Sequence, residues 1–441
     1  MMTRARRAAG HAALGAERDE VREPGFWAKD APAVPACPRI ETDLRVDVAI
    51  IGGGFTGLAC GYYLRRHAPG LRVAVVEAHR PGSGASSRNS GLFGAYYAGW
   101  RRHMLIDAEL ARRFRDLGRR GYDRLMAFLA EEAIDCDVLP GDTLLLADAG
   151  QASALRAQGE GWRALGVAAE WLDGAALAEQ IRTEFYAGAC GLRTRWRLHP
   201  GKLMSGLAAA ALRAGVPIYE RSPVVDVDST RPARLTTRRG TVTADRVVLA
   251  TNAYTPRLGF GRGSVIPVHH AVLLSRPLDE AEVAAYGLAA WPARLEVGVR
   301  THTMRLSKDG RVTMRETLGY AARNSSVWPD LDNAYEQSRA AYIVRYPWVR
   351  GLAIEDRWHC ISAHTENGHV VFGPLGADHI FASVGYNGSG VVAGHYHGYL
   401  LARHLAGDTP DDYRFLCDLP RPRPLRTERE RRAYIEQGVG V

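Results

Sequence analysis

An apolar run ending in glycines, a helix-forming run behind it and a second apolar run ending in a carboxylate constrain this chain more than any other feature. Residues 46–64 read VDVAIIGGGFTGLACGYYL, and residues 73–77 read VAVVE. This order predicts a strand, a tight turn, a helix and a second parallel strand. Gly52 permits the turn, Gly54 lets backbone approach a pyrophosphate, and Gly57 lets the helix pack closely on the strand. The first helical N–H groups, from Phe55 and Thr56 onward, lack partners inside the helix and suit phosphate oxygens. Glu77 follows Gly57 by twenty residues, where a carboxylate meets a ribose 2′-hydroxyl. A carboxylate there repels a 2′-phosphate, which argues against NADP. The stretch predicts dinucleotide binding.

The 441 residues suffice for two to three domains, and 46% hydrophobic with 24% charged residues is ordinary for a globular protein. The longest apolar stretch, near Leu203–Leu212, is too short to span a bilayer, so no membrane insertion is expected. Arg4, Arg6 and Arg7 are followed by a weakly hydrophobic small-residue run interrupted by His11, a poor signal-peptide core, and a cytoplasmic location is expected. The net charge of +9 is nearly all arginine, since the lysines are Lys29, Lys202 and Lys308. Arginines alternate with acids, as in residues 426–432, and form no basic face with aromatics, so no nucleic-acid partner is expected. Cys37, Cys60, Cys136, Cys190, Cys360 and Cys417 contain no C-x-x-C pair, which argues against zinc, a dithiol centre or a disulfide framework.

Residues 24–38 are proline-rich and read as an extended lead-in, giving an N-terminal arm over 1–38. Residues 104–135 carry helical periodicity through Leu110, Phe114, Leu117, Leu125, Phe128 and Leu129. A helix follows His199 and Pro200. Residues 224–252 read as a strand meander returning to a buried strand. Residues 265–274 and 299–316 alternate like antiparallel strands, with a turn at 308–311. Residues 379–404 read as strand, glycine loop and helix. The expected class is α/β plus α+β. A discontinuous Rossmann-like FAD-binding domain (39–100, 196–260 and 355–441) carries an inserted antiparallel-sheet substrate domain (101–195 and 261–354). A single fingerprint favours a resident FAD over a shuttling NAD.

Five segments in order resemble the FAD-dependent D-amino-acid-oxidase/sarcosine-oxidase-like family, in particular its gamma-glutamylputrescine-oxidase-like branch. They are IGGGFTG (51–57) with Glu77, GASSRNSG (84–91), HPGKLMSGL (199–207), ADRVVLATNAY (244–254) and GYNGSG (385–390). The resemblance implies that Gly84, Ala85, Ser86, Arg88, Asn89 and Ser90 run beside the flavin, with Ser86 and Arg88 toward phosphate or ribitol. It places Ala78 beside the ribose carboxylate, Val225 against adenine, and Thr251 and Asn252 at the end of a nucleotide strand. It implies that Gly385, Tyr386, Asn387, Gly388, Ser389 and Gly390 aim backbone N–H groups at the flavin pyrimidine oxygen. Cys360 stands where sarcosine oxidases carry a thioether to the flavin; a buried, inert thiol is the alternative reading, and the one preferred.

The family oxidises a C–N bond by hydride transfer from the carbon beside nitrogen to the flavin, giving an imine that water splits. The implied partners are an amine or amino-acid substrate and O2 or another electron acceptor, in a monomer or homodimer. The alternatives are a flavin subunit of a dehydrogenase complex, or oxidation of a 2-hydroxy acid or other C–H bond. Tyr254, Trp358 and Tyr386 are candidate pocket walls. Of the adjacent His269 and His270 only one can face the pocket, and His269 is assigned there. Arg305 is the candidate for a substrate carboxylate, against a surface ion pair. His395 and His397, spaced by two, point to different faces, so no metal is expected. The sequence departs from the branch at Thr313–Glu316 (TMRE) and at His359–Cys360. The lysine that speeds oxygen reaction in sarcosine oxidases has no clear match; Lys202 and Lys308 are weak candidates.

Overall fold

The computed structural model describes residues 24–95, 107–193, 195–298 and 301–437. The arm over 1–23, the 100/101 domain boundary, the start of the 299–316 strand and the last four residues lie outside the described residues. The glycine-ended apolar run lies at the centre of an eight-stranded sheet. Leu44–Ile51 pairs in parallel with Val73–Val76 on one side and with Thr241–Leu249 on the other. Ile218–Tyr219 extends the first edge, and Ala377–Val384 pairs in parallel with the far half of Thr241–Leu249. The registers Ile51↔Val76, Ile51↔Leu249 and Leu249↔Ala382 bring the carboxyl ends of these strands to one edge. Open parallel sheets bind ligands at that edge. Asp226–Asp228 and Ala233–Thr236 add the expected antiparallel meander to Thr241–Leu249, and Val371–Leu375 pairs with Ala377–Val384.

Two helices run side by side against this sheet, Phe55–His67 and Gly390–Leu405. A Cβ on Gly398 would stand 2.5 Å from the Thr56 carbonyl oxygen, so glycine sets how closely they approach. The helix Ala108–Glu131 packs on the second of them, with Val392 and Tyr396 over Gly121. Asp107 caps it by accepting from the Leu110 amide at 2.9 Å. Its buried Phe114, Leu117, Leu125 and Phe128 share one core with Val48, Ile50, Leu58 and Leu400. Each such side chain contributes about 1.5–3 kcal/mol. This helix, expected in the substrate domain, therefore belongs to the packing of the nucleotide-side sheet. Its apolar stripe finds its partner there.

The second eight-stranded sheet runs Ile354–His364, Ile266–Pro277, Arg311–Tyr320, His302–Leu306, Ala293–Glu296, Thr143–Ala147, Gly188–Leu192 and Ala169–Asp173. Ile354–His364, expected in the nucleotide domain from residue 355, is the edge strand of this sheet. It pairs with Ile266–Pro277 from Ile266↔His364 to Ser275↔Ile354. A small third sheet joins Leu92–Gly94, Arg195–Arg197 and Leu139–Pro140. The lead-in is not free-standing. Its short helix Phe26–Lys29 buries Trp27 against Val272, Leu274 and Trp358.

Candidate active site

A cleft of about 2070 Å³ follows the carboxyl edge of the first sheet and continues over the second. Pockets for one small ligand occupy about 300–1,000 Å³, so this cleft accommodates an extended dinucleotide with a further small molecule. Its sheet-edge end begins at Gly52, which has φ +107°. A Cβ there would meet the Ala250 carbonyl oxygen at 2.7 Å. Gly54, Phe55 and Thr56 line the cleft at the helix N-terminus, while Gly57 lies just inside, against the Gly52 carbonyl. Ser86 Oγ accepts from the Phe55 amide at 3.1 Å.

Glu77 ends the second strand and is buried. Its carboxylate accepts from the Gly53 amide at 2.7 Å and from the His79 amide at 2.8 Å. Burial pushes its pKa up and those amides oppose the shift. Gly84, Ala85, Ser86, Arg88, Asn89 and Ser90 form the adjoining wall. Asn89 holds the loop through the Ala85 and Ser86 carbonyls at 3.1 and 2.7 Å. Arg88 is buried, donating to the carbonyls of Ser83 and His359, both at 2.9 Å. Val224 and Val225 line the cleft near Glu77; the Val225 amide donates to the Thr236 carbonyl at 2.9 Å. That amide is committed to the sheet, so a contact of Val225 with adenine would fall to its carbonyl or side chain.

The glycine loop closes the other side. Asn252 Oδ1 accepts from the Gly385 amide at 3.0 Å, and Thr251 Oγ1 bonds Thr255 Oγ1 at 2.8 Å. Tyr386, Asn387, Gly388, Ser389 and Gly390 line the cleft at the start of Gly390–Leu405, with Ala78, Thr251 and Asn252 also on its wall. Gly385 is set back from it. The Tyr386 hydroxyl points into protein, at 2.6 Å from Thr56 Oγ1 and 2.8 Å from Ser383 Oγ, and burial pushes its pKa up to about 12. Two helix N-termini thus face one space, where their dipoles favour negative charge. Cys360 also lines it; burial pushes its thiol up to about 11.

On the second sheet the cleft is walled by Arg315, His270, Thr301, Thr303, Thr317, Ser362 and His364. Arg315 is half-buried. It donates to Thr301 Oγ1 (3.0 Å), Thr303 Oγ1 (2.8 Å), Thr317 Oγ1 (3.0 Å) and His270 Nδ1 (2.9 Å). Arginine only donates, so His270 Nδ1 accepts and Nε2–H faces Ser362 Oγ at 2.7 Å. Burial and the guanidinium hold His270 well below the ordinary histidine pKa, and burial holds His364 at about 4. Burial also pushes Arg315 down. Its direct partners are neutral oxygens and a neutral imidazole.

Three sequence assignments need correction. His269 faces away from the cleft. Its Nδ1 lies 2.5 Å from His359 Nε2, beside the Trp328 ring, and His270 takes the cleft side. Trp358 is no cleft wall; it packs on Trp27 and donates Nε1–H to the Arg88 carbonyl at 3.0 Å. Arg305 donates to the carbonyls of Ser90 (2.6 Å) and Leu198 (2.8 Å), with the Trp27 ring over its guanidinium. It lines a separate cavity, as do Lys202 and Lys308, which both pair with Asp137. Tyr254 does line the cleft. Arg315 lies inside the run Thr313–Glu316, where the sequence departs from the branch it resembles. The usable signal is the alternation of polar 313, 315 and 317 with apolar Val312, Met314 and Leu318, broken at Glu316. His395 and His397 bond Tyr63 and Ser383 separately, and among the described residues no group of His, Cys, Asp and Glu could hold a metal ion.

A parallel sheet with a glycine turn, a strand-end carboxylate and two helix N-termini on one cleft defines a dinucleotide-binding oxidoreductase fold. The chain belongs to the family described as DAO, FAD dependent oxidoreductase, which matches residues 47–404. FAD is its cofactor. Gamma-glutamylputrescine oxidoreductase of Escherichia coli (strain K12) is 28% identical over 393 residues, covering 87% of this chain and 89% of that protein. Glycine oxidase of Geobacillus kaustophilus (strain HTA426) is 31% identical over 385 residues, covering 82% and 91%. Among solved structures, glycine oxidase from Geobacillus kaustophilus superposes with TM-score 0.69 at 23% identity over 83% of this chain and 96% of that one. L-Proline dehydrogenase from P. horikoshii superposes with TM-score 0.65 at 16% identity, over 85% and 98%. No helix among the described residues is long and apolar enough to cross a membrane.

Proposed function

We propose that this enzyme oxidises the C–N bond of a small amine that carries a carboxylate, an amino acid or N-substituted amino acid, with O2 as acceptor. The carrying observation is Arg315, a half-buried guanidinium on the cleft wall whose direct partners are all neutral. A carboxylate supplies the charge that such a group lacks, by replacing one or more of the threonine hydroxyls as acceptor. The names of the two relatives, one a glycine oxidase and one acting on a gamma-glutamyl amine, support an amine or amino-acid substrate.

Bound FAD supplies the hydride acceptor. The residues suited to hold it are Gly52, Gly54, Phe55 and Thr56 at the turn, Glu77 toward ribose, the 84–90 loop, and the amides of Gly388 and Gly390 at the second helix start, since those of Gly385, Asn387 and Ser389 donate to Asn252 Oδ1 and to the Ala363 and Tyr386 carbonyls. Arg315 orients the substrate by its carboxylate. Its charge and the buried surroundings both favour a neutral amine, because each disfavours an ammonium nearby. Neutral His270, fixed between Arg315 and Ser362, adds no competing charge. Reactivity then rests on orientation and exclusion of water, and no side-chain base is needed for C–H cleavage. The released imine hydrolyses in water. The test is anaerobic reduction of the FAD-loaded protein with amino acids, their decarboxylated amines and 2-hydroxy acids. Bleaching by amines lacking a carboxylate as fast as by amino acids would overturn the reading.

A further inference from the structure

The structure holds a second cavity, of about 290 Å³, behind the loop that borders the main cleft. Its walls come from separate segments: Asp30 of the lead-in, Asp137 and Leu139, then Arg197, His199 and Lys202, and Arg305 with Ser307–Asp309. We propose that this cavity is a binding site for a small ligand bearing a carboxylate or phosphate group, distinct from the dinucleotide cleft.

The charge of the walls is unbalanced. Arg197, Arg305, Lys202 and Lys308 face Asp30, Asp137 and Asp309. Asp309 is paired with Arg311 at 3.0 Å, and Asp30 accepts a hydrogen bond from His199 Nε2–H at 3.2 Å, an imidazole that burial keeps neutral. Asp137 alone serves both lysines, at 2.7 Å to Lys202 and 3.1 Å to Lys308. Among the described residues no carboxylate lies within ion-pair reach of Arg197 or Arg305. Arg197 donates to the Leu306 carbonyl at 2.6 Å, and Arg305 to those of Ser90 and Leu198. The Nε–H of each is buried without a hydrogen-bond partner, and Arg305 is only 2% exposed. Uncompensated guanidiniums are costly when buried, as Arg305 is, and less so when half-buried, as Arg197 is. Burial pushes Arg197 down, and burial with the neighbouring Arg197 charge holds Arg305 at about 9. An oxyanion relieves both, and guanidinium forks match its geometry. The volume suits a small acid or phosphate and not a second nucleotide.

The site has a route to the main cleft. Arg305, which lines this cavity, holds the carbonyl of Ser90 through Nη1, and Ser90 lines the cleft. An anion drawn to Arg305 competes for, or straightens, that hydrogen bond.

The test uses FAD-saturated protein, so that the dinucleotide site is filled. Inorganic phosphate and, separately, acetate are titrated at constant ionic strength set with sodium chloride. Binding is read by calorimetry and by the melting temperature. Saturable binding of either anion is expected, weakened about tenfold or more in Arg197→Gln and several-fold in Lys308→Ala. Lys308 is exposed and touches neither cofactor nor substrate, so Lys308→Ala keeps its FAD content and its anion-free turnover. Tighter binding of one anion assigns the ligand's acidic group. Absence of saturable binding, or equal affinity in wild type and both variants, overturns the proposal.

Discussion

Gly57 and Gly52 are in contact across the opening turn: a Cβ on Gly57 would stand 1.9 Å from the Gly52 carbonyl oxygen. The obstacle is backbone, which cannot rotate aside as a side chain does. The helix start is therefore placed against the turn by the absence of a single methyl group. Gly57→Ala is expected to displace the Phe55 and Thr56 amides, destabilise the fold by about 1–3 kcal/mol or more, and reduce FAD content. The ratio of visible flavin to protein absorbance after reconstitution checks this. Full occupancy with unchanged melting temperature would contradict it.

Arg315 is expected to control carboxylate recognition. Arg315→Met removes hydrogen bonds to charge worth about 1.5–3 kcal/mol, a loss of about 10- to 150-fold in kcat/KM for amino-acid substrates. Decarboxylated amines should lose far less. Steady-state kinetics on matched pairs distinguish the two; parallel losses would show that Arg315 only supports the strand.

Cys360 is expected to leave FAD unattached. Its thiol, buried and pushed up to about 11, is neutral near pH 7 and a poor nucleophile. Acid precipitation should release all flavin to the supernatant, and Cys360→Ser should retain FAD. Yellow colour in the washed pellet would reverse this.

Stability should fall in acid. Burial holds His269 and His364 near 4 and places His395 and His397 lower still. These pKa values lie below the unfolded value of about 6.5, so below that pH the unfolded chain binds protons that the folded chain refuses. Stability is therefore lost as pH falls below about 6.5, by up to about 1.4 kcal/mol per pH unit for each imidazole. Glu296, held at about 2 by His302 and Arg345 against its burial, adds loss in the same direction below about 4.5. Melting temperatures between pH 5 and 8 should rise with pH; a flat profile would refute the assignment.

Dioxygen as acceptor predicts hydrogen peroxide formed one for one with imine product. Peroxidase-coupled assays check this. Slow reoxidation in air, rescued by an artificial dye, would point instead to a protein electron acceptor.

The nucleotide cradle was legible because its instructions are local. Gly52, Gly54, Gly57 and Glu77 lie within one strand–turn–helix–strand unit, and a glycine that must avoid neighbouring backbone has no substitute. The sequence determined that unit, the glycine loop at 385–390 and the α/β class. Tertiary structure decided which polar groups enter the cleft. His269 and His270 are adjacent, and the ladder skips Leu318 between His269↔Gly319 and His270↔Thr317, so a bulge sets which imidazole turns inward. Arg305 and Arg315 both lie on neighbouring strands of the second sheet. Only the packing of Trp27 and the Ser90 loop over Arg305 sends one to a separate cavity and leaves the other on the cleft wall. Pairing between segments distant in sequence carries that choice, because facing direction depends on register, and no local pattern encodes register.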